Sequence, residues 1–268
     1  MTAYRPDLLE QLGIYMSTTW DAVLSLAKAL MVQGEAQIAI PLMHVDCAPT
    51  FISLCNSLGE APMQSREYYV SRAIGREVLH RMCTLLEVAH PASIRLNPPQ
   101  LLDLMSRTDE IVYCPLLFGY SNYARSGYRP KLIQFANIPL NTDGAPAGSI
   151  LGGAGLAVSS STLHRIAACE YASYVASPIA QRTTYVEQEG QPGHRSAWLD
   201  IAANIRCANF FTETLATLDH AYMRPRYQGY IQLQDRTCEV LYRFLADGNS
   251  AESTLHELDR LYRLSLQE

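Results

Sequence analysis

At 268 residues with 48% hydrophobic side chains, the chain is long enough for one substantial core or two small ones, and its composition is that of a globular protein and not of a disordered one. A formal net charge of −5, with no basic stripe interleaved with aromatic residues, excludes nucleic acid as the natural class of partner. No run approaches the roughly eighteen apolar residues of a membrane span, and MTAYRPDLLEQLG carries no charged segment followed by an apolar one, so no export signal is visible in the sequence as read. The basic residues are 19 Arg and 2 Lys, which favours planar, bidentate contacts wherever a cation acts. Seven cysteines are spread without CxxC spacing, and an odd number cannot all pair internally, so they are expected to be mostly buried, reduced and apolar in character.

In chain order, Thr18 and Asp21 frame a capping box, and Val23, Ala27, Leu30 and Met31 then recur at helical spacing up to Gly34. Gln37 to Leu42 alternates with Ile38, Ile40 and Leu42 on one face, which predicts a strand. After the polar turn His44-Val45-Asp46, the set Phe51, Leu54, Cys55 and Leu58 predicts a helix ended by Gly59. Ile74, Val78, Met82, Leu85 and Ala89 mark a longer helix that stops near His90, because Pro91 disfavours helical geometry in the residue before it. Asn97 and Pro98 start another, and Glu110–Cys114 and Lys131–Ala136 are predicted strands. Asn137 to Ser149 has the composition of a linker. Ile150 to Ser159, ILGGAGLAVS, sets three glycines before a short apolar strand, where the backbone bends or lies against something close. A helical stretch with a restart at Pro178 runs to Glu189, the segment Gly190 to Arg195 forms a crossover, and three helices complete the chain.

The residues that could carry chemistry gather in a few places. Tyr113 to Arg125, YCPLLFGYSNYAR, is a strand opening at Pro115 into a loop crowded with rings and amides. A sugar ring offers an apolar CH face and a rim of hydroxyls, so Phe118, Tyr120 and Tyr123, beside Ser121 and Asn122, are the side-chain types a carbohydrate platform needs; the alternative is a buried aromatic cluster under an ordinary loop. His44, Asp46 and Cys47, with Cys55 further on, invite a metal or a thiol nucleophile, but their spacing does not aim ligands at one point, and a solvated turn with Asp46 capping a helix is the plainer reading. Gly152 to Gly155 lacks the Lys and the Ser or Thr of a phosphate loop and precedes its strand, which disfavours nucleotide binding. Arg224 and Arg226, beside Tyr227 and Tyr230, could grip hydroxyls, a carboxylate or a phosphate, or could simply lie in water.

Taken in order, AYRPDLL (Ala3–Leu9), TTWDAVLSLAKAL, IAIPL with its loop and helix, YCPLLFGYSNYA, LGGAGLAVS, SPIAQ (Ser177–Gln181) and EGQPGHRSAW resemble the carbohydrate-type extracellular solute-binding proteins of ABC transporters. The resemblance implies an α/β fold of the type II periplasmic-binding-protein kind, with two lobes joined by crossing strands and a solute held between them, and no catalytic residue, metal or cofactor. It places His44, Asp46, Pro49 and Thr50, and Phe118, Tyr120 and Tyr123, at the cleft, with Ala154 and Gly155 near the hinge and Tyr227 and Tyr230 as further candidates. The implied partners are a sugar-like solute and the permease subunits, and the implied location is the periplasm or cell surface. The AYRPDLL-like segment, which in the family follows most of the first lobe, starts here at Ala3. The expectation is therefore one nearly complete lobe, 1–149 and 191–268, and a strand-and-helix remnant of the other, 150–190, exposing a strand edge and an apolar helix face, with weak solute binding and a tendency to associate. From another class, a cysteine-dependent α/β hydrolase or transferase using Cys47 or Cys114 with a histidine is the alternative, as is a truncated remnant without function.

Overall fold

The computed structural model describes residues 1–34, 36–141 and 143–267. Four strands, β1 (Thr2–Tyr4), β2 (Gln37–Ile38), β3 (Ile111–Cys114) and β4 (Gln134–Ala136), form a mixed sheet in the order β2-β3-β1-β4. β2 runs parallel to β3, whereas β1 is antiparallel to both of its neighbours, with Ala3 opposite Cys114 on one side and Phe135 on the other. All four β3 residues are buried, which explains why this central strand is a continuous apolar run without alternation. The strand expected over Gln37–Leu42 pairs only through Gln37 and Ile38, although Ile38, Ile40 and Leu42 are all fully buried. Ala39 N still donates to Tyr113 O of β3; beyond it the backbone leaves the sheet, and Ile40 N donates to Ser93 Oγ and Leu42 N to Ser93 O.

The helices before the linker are α1 (Pro6–Leu12), α2 (Trp20–Gln33), α3 (Cys47–Ser57), α4 (Arg72–Val88) and α5 (Pro98–Arg107). Thr19, one residue later than the expected Thr18, caps α2 by accepting from Ala22 N, and Gly34 ends it at φ 73°. Asn97 and Gln100 form a reciprocal capping box on α5. After the linker come α6 (Arg165–Ala176), α7 (Pro178–Arg182), α8 (Thr184–Glu187), α9 (Arg195–Trp198), α10 (Ile201–Ile205), α11 (Phe210–Asp219), α12 (Tyr230–Asp247) and α13 (Ala251–Ser265). The three helices expected at the end of the chain are thus three long ones preceded by two short turns of helix. One core joins α2, α3, α4, α12 and α13 through side chains such as Leu30, Phe51, Met82 and Leu241; a second, aromatic one sets Phe135 against Phe210 and Trp198 against Phe211.

Arg5 welds β1 to the end of α5. Its guanidinium is completely buried, yet it donates to both oxygens of Asp7, to Asp109, and to the carbonyls of Met105 and Thr108, each at 2.7 Å. A buried cation is tolerated when its donors are all taken, as they are here.

The segment after the linker is different. Ile150 makes a single bridge to Tyr222, with Leu151 N donating to Tyr222 O and Tyr222 N to Ser149 O, and the apolar strand expected beyond it forms no ladder. Residues 151–160 are all exposed, and α6 buries none of its side chains: Leu163, just before it, is 93% exposed, Ile166 77% and Tyr171 65%. A helix on a globular chain ordinarily hides one stripe. The chain rejoins the body through Ala180, Gln181 and Val186.

Candidate functional site

In an open α/β sheet the loops that follow the parallel strands gather at their carboxyl ends and form the natural ligand crevice. Here those loops are the turn His44–Asp46, which follows β2, and residues 115–124, which follow β3. The return segment 148–152 closes the third side. Gly148, at φ 109°, lies so close to α3 that a Cβ would sit 2.7 Å from Ser57 N; Ile150 N donates to Ser53 Oγ at 3.3 Å. Two residues of extended chain cover about the same distance as four of helix, so the segment ascends α3 toward Asp46. At Gly152 it meets the ring of Phe118, where a Cβ would come within 2.7 Å of the ring edge.

The ring-bearing loop is held from behind. Gln191, at the crossover, accepts from Ser121 N at 2.9 Å and donates to Gly119 O at 3.3 Å, so both sides of Tyr120 are fixed by one side chain. Tyr120 is left 41% exposed, and Phe118 is half-buried under Gly152. Burial, and then the charge of Asp46, push the Tyr120 phenol pKa upward.

Asp46 departs from its expected role. It precedes α3 but caps nothing; its side chain is buried, with Oδ2 hidden and without a partner, and burial raises the carboxyl to about 6. The two thiols beside it are neutral. Cys47 is buried and donates to Leu42 O, Cys238 donates to Val45 O, and burial holds both thiols well above the ordinary range.

The remaining candidates divide. His44 is half-buried and packs edge-on to Tyr242 at 5.8 Å. Pro49 sits half-buried in the first turn of α3, and Thr50 is buried with its hydroxyl donated to Pro41 O, so it braces the loop from within. Tyr123 is an interior side chain: 5% exposed, it donates to Pro99 O and to Asp103 at 2.9 Å and packs against Tyr128, because the 3-10 turn Ser121–Ala124 rotates it away from Tyr120 into the second core. Ala154 and Gly155 are exposed, and a Cβ at Gly155 would meet nothing within 4 Å. Tyr230 is buried beside α12 and Tyr227 bonds to Ser265 at 2.8 Å, so this pair belongs to the helical layer and not to the loops. The structure therefore joins Phe118 and Tyr120 to Gly152 and Gln191, and sets Asp46 in the loop after the neighbouring parallel strand. Gln191 had a signal in the GQP crossover, but only the fold shows what its amide reaches.

Two shallow surface depressions, one between α12 and α13 beside Arg243 and Glu257 and one beside Ser71, Arg72 and Asp259, contain none of these residues. Cys47 and Cys114 are fully buried, burial lifts the Cys114 thiol to about 12, and among the described residues neither has a histidine within hydrogen-bond reach. Among the described residues no three His, Cys, Asp or Glu side chains converge as a metal site would require, and no helix is long and apolar enough to cross a membrane.

Comparison with solved structures identifies the architecture. Maltose-bound MalE3 of T. maritima superposes with a TM-score of 0.81 at 18% identity, covering 98% of this chain and 69% of its own. The fold is that of the ABC-transporter solute-binding proteins. Two more with this solute-binding-protein fold come from Agrobacterium: one from A. radiobacter K84 in complex with ribitol (TM-score 0.80, 17% identity, 98% of this chain and 68% of that one) and one from A. vitis S4 with D-mannitol (0.80, 16%, 100% and 70%). No protein-family model and no curated protein matches the sequence.

Proposed function

We propose that the chain carries the larger part of a solute-capture protein serving an ABC permease at the periplasmic or outer face of the membrane, and that it recognises a sugar or polyol without making or breaking a bond. The observation that carries the reading is the placement of Asp46, Phe118 and Tyr120 on the two loops that leave the carboxyl ends of the adjacent parallel strands β2 and β3, in a fold whose solved neighbours hold maltose, ribitol and D-mannitol. Rings supply the apolar platform, and the carboxylate accepts from donors on the rim. In this reading 1–149 and 191–268 form one lobe and 150–190 a strand-and-helix piece of the other, which in the described residues offers a solute little wall, so affinity for this chain is low. The exposed segment 151–160 and the uncovered α6 support that division. The buried, protonated thiols of Cys47 and Cys114 disfavour cysteine catalysis.

Titration calorimetry with maltose, ribitol and D-mannitol should give dissociation constants on the order of 0.1–10 mM. Tyr120→Ala should weaken binding by about tenfold, while Cys47→Ala and Cys114→Ala leave it unchanged. Sub-micromolar affinity would contradict the open half-crevice, and indifference to Tyr120→Ala would contradict the site.

A further inference from the structure

The other buried carboxylate of comparable depth, Asp259, is fully engaged: it accepts from Tyr69 N at 2.8 Å and pairs with Arg72 at 2.8 Å. Among the described residues Asp46, 7% exposed, has neither a cation paired with it nor a donor on Oδ2. Near it in the chain are His44 in the same turn, whose ring is turned edge-on to Tyr242, and the Cys47 thiol at the start of α3; its charge reaches the Tyr120 phenol and the Cys238 thiol on α12, which also feels Asp235 and Arg224. Arg224, the cation that bears on Cys238, spends its guanidinium on Gln234 and forms no ion pair with Asp46. A buried anion without a counter-ion is a costly arrangement that a protein resolves by pairing it. The loop after the neighbouring parallel strand is aromatic, its Tyr120 phenol feels the charge of Asp46, and ring faces attract positive charge.

We propose that the solute for this crevice carries a protonated amine, which sits between the Asp46 carboxylate and the rings of Phe118 and Tyr120, so that the chain prefers an amino polyol to the matching neutral one. The inference rests on the solute-binding reading above and narrows its ligand class. A neutral hydroxyl donates one hydrogen bond to Asp46 and leaves the charge buried; an ammonium group supplies up to three donors and cancels it.

The test compares 1-amino-1-deoxy-D-sorbitol with D-sorbitol, which differ only by an ammonium group in place of one hydroxyl, by solute-observed NMR titration at pH 7 in 150 mM salt to screen the net negative charge of the chain. The amine should bind about tenfold more tightly. Asp46→Asn, nearly isosteric and neutral, should abolish that preference while leaving residual binding of both solutes. Equal or tighter binding of sorbitol, or a preference that survives Asp46→Asn, would overturn the inference and leave the solute-binding reading standing. No binding of either solute up to roughly 50 mM would overturn both.

Discussion

Asp46 holds its charge at the expense of the fold. An ordinary aspartate titrates near 3.9, whereas burial raises this one to about 6. Between those values the folded state binds more protons than the unfolded one, so stability falls as pH rises from about 4 through 6, and what is lost is fully lost above that window. At about 1.4 kcal/mol per unit the difference is roughly 2–3 kcal/mol. Asp46→Asn should therefore raise the unfolding free energy by about 2 kcal/mol at pH 7.5 and leave it almost unchanged at pH 4, measured by urea denaturation at both pH values. A destabilising effect at pH 7.5 would mean that the carboxylate has a partner. At this scale the sequence was only partly legible. The aromatic content of Tyr113–Arg125 singled out the loop after β3, but Phe118 and Tyr120 differ from Tyr123 by the direction a 3-10 turn gives each ring, and spacing within a loop does not encode that. Asp46 looked like a helix cap because its position was right; its backbone, at φ −97° and ψ −11°, is already helical, and its side chain makes no capping bond.

Among the elements, those with regular periodicity were legible throughout. The helices over Val23–Leu30, Phe51–Leu58, Ile74–Val88 and Leu101–Met105 lie where the apolar spacing puts them, since each must bury one stripe and carries its own start or stop residue. The strands were legible as apolar runs but not in their length: Gln37–Leu42 is buried throughout yet pairs over two residues, because pairing depends on neighbours distant in sequence. Gly152 is the element-level prediction. Its bare backbone lets the return segment lie on Phe118, and Gly152→Val would drive the ring out of place. Solute affinity should drop about fivefold to tenfold, while the unfolding free energy, set by cores remote from this exposed residue, stays within about 0.5 kcal/mol of the parent. A variant that binds normally would show that Phe118 is not part of the platform.

The molecule as a whole was the most legible, through the order of its segments and not through any one of them. Identity of 16–18% with structures that superpose at TM-scores near 0.80 means that few residues persist while the sequence of strand, loop and helix does. What the fold leaves open is the face of α6. Leu163, Ile166, Tyr171, Tyr174 and Ile179 present an apolar patch that a soluble monomer rarely exposes. Sedimentation at about 100 μM should show self-association that Ile166→Glu with Tyr171→Glu disperses to monomer; a monomeric parent chain would contradict this.

The account depends most on the claim that Phe118 and Tyr120 form the floor on which a solute lies, and saturation transfer from aromatic protons of the protein to D-mannitol reads that contact directly. Transfer to the CH protons of the polyol that disappears in the Phe118→Ala, Tyr120→Ala double variant is the predicted result; transfer that is absent from the parent chain, or that persists undiminished in the double variant, would contradict it.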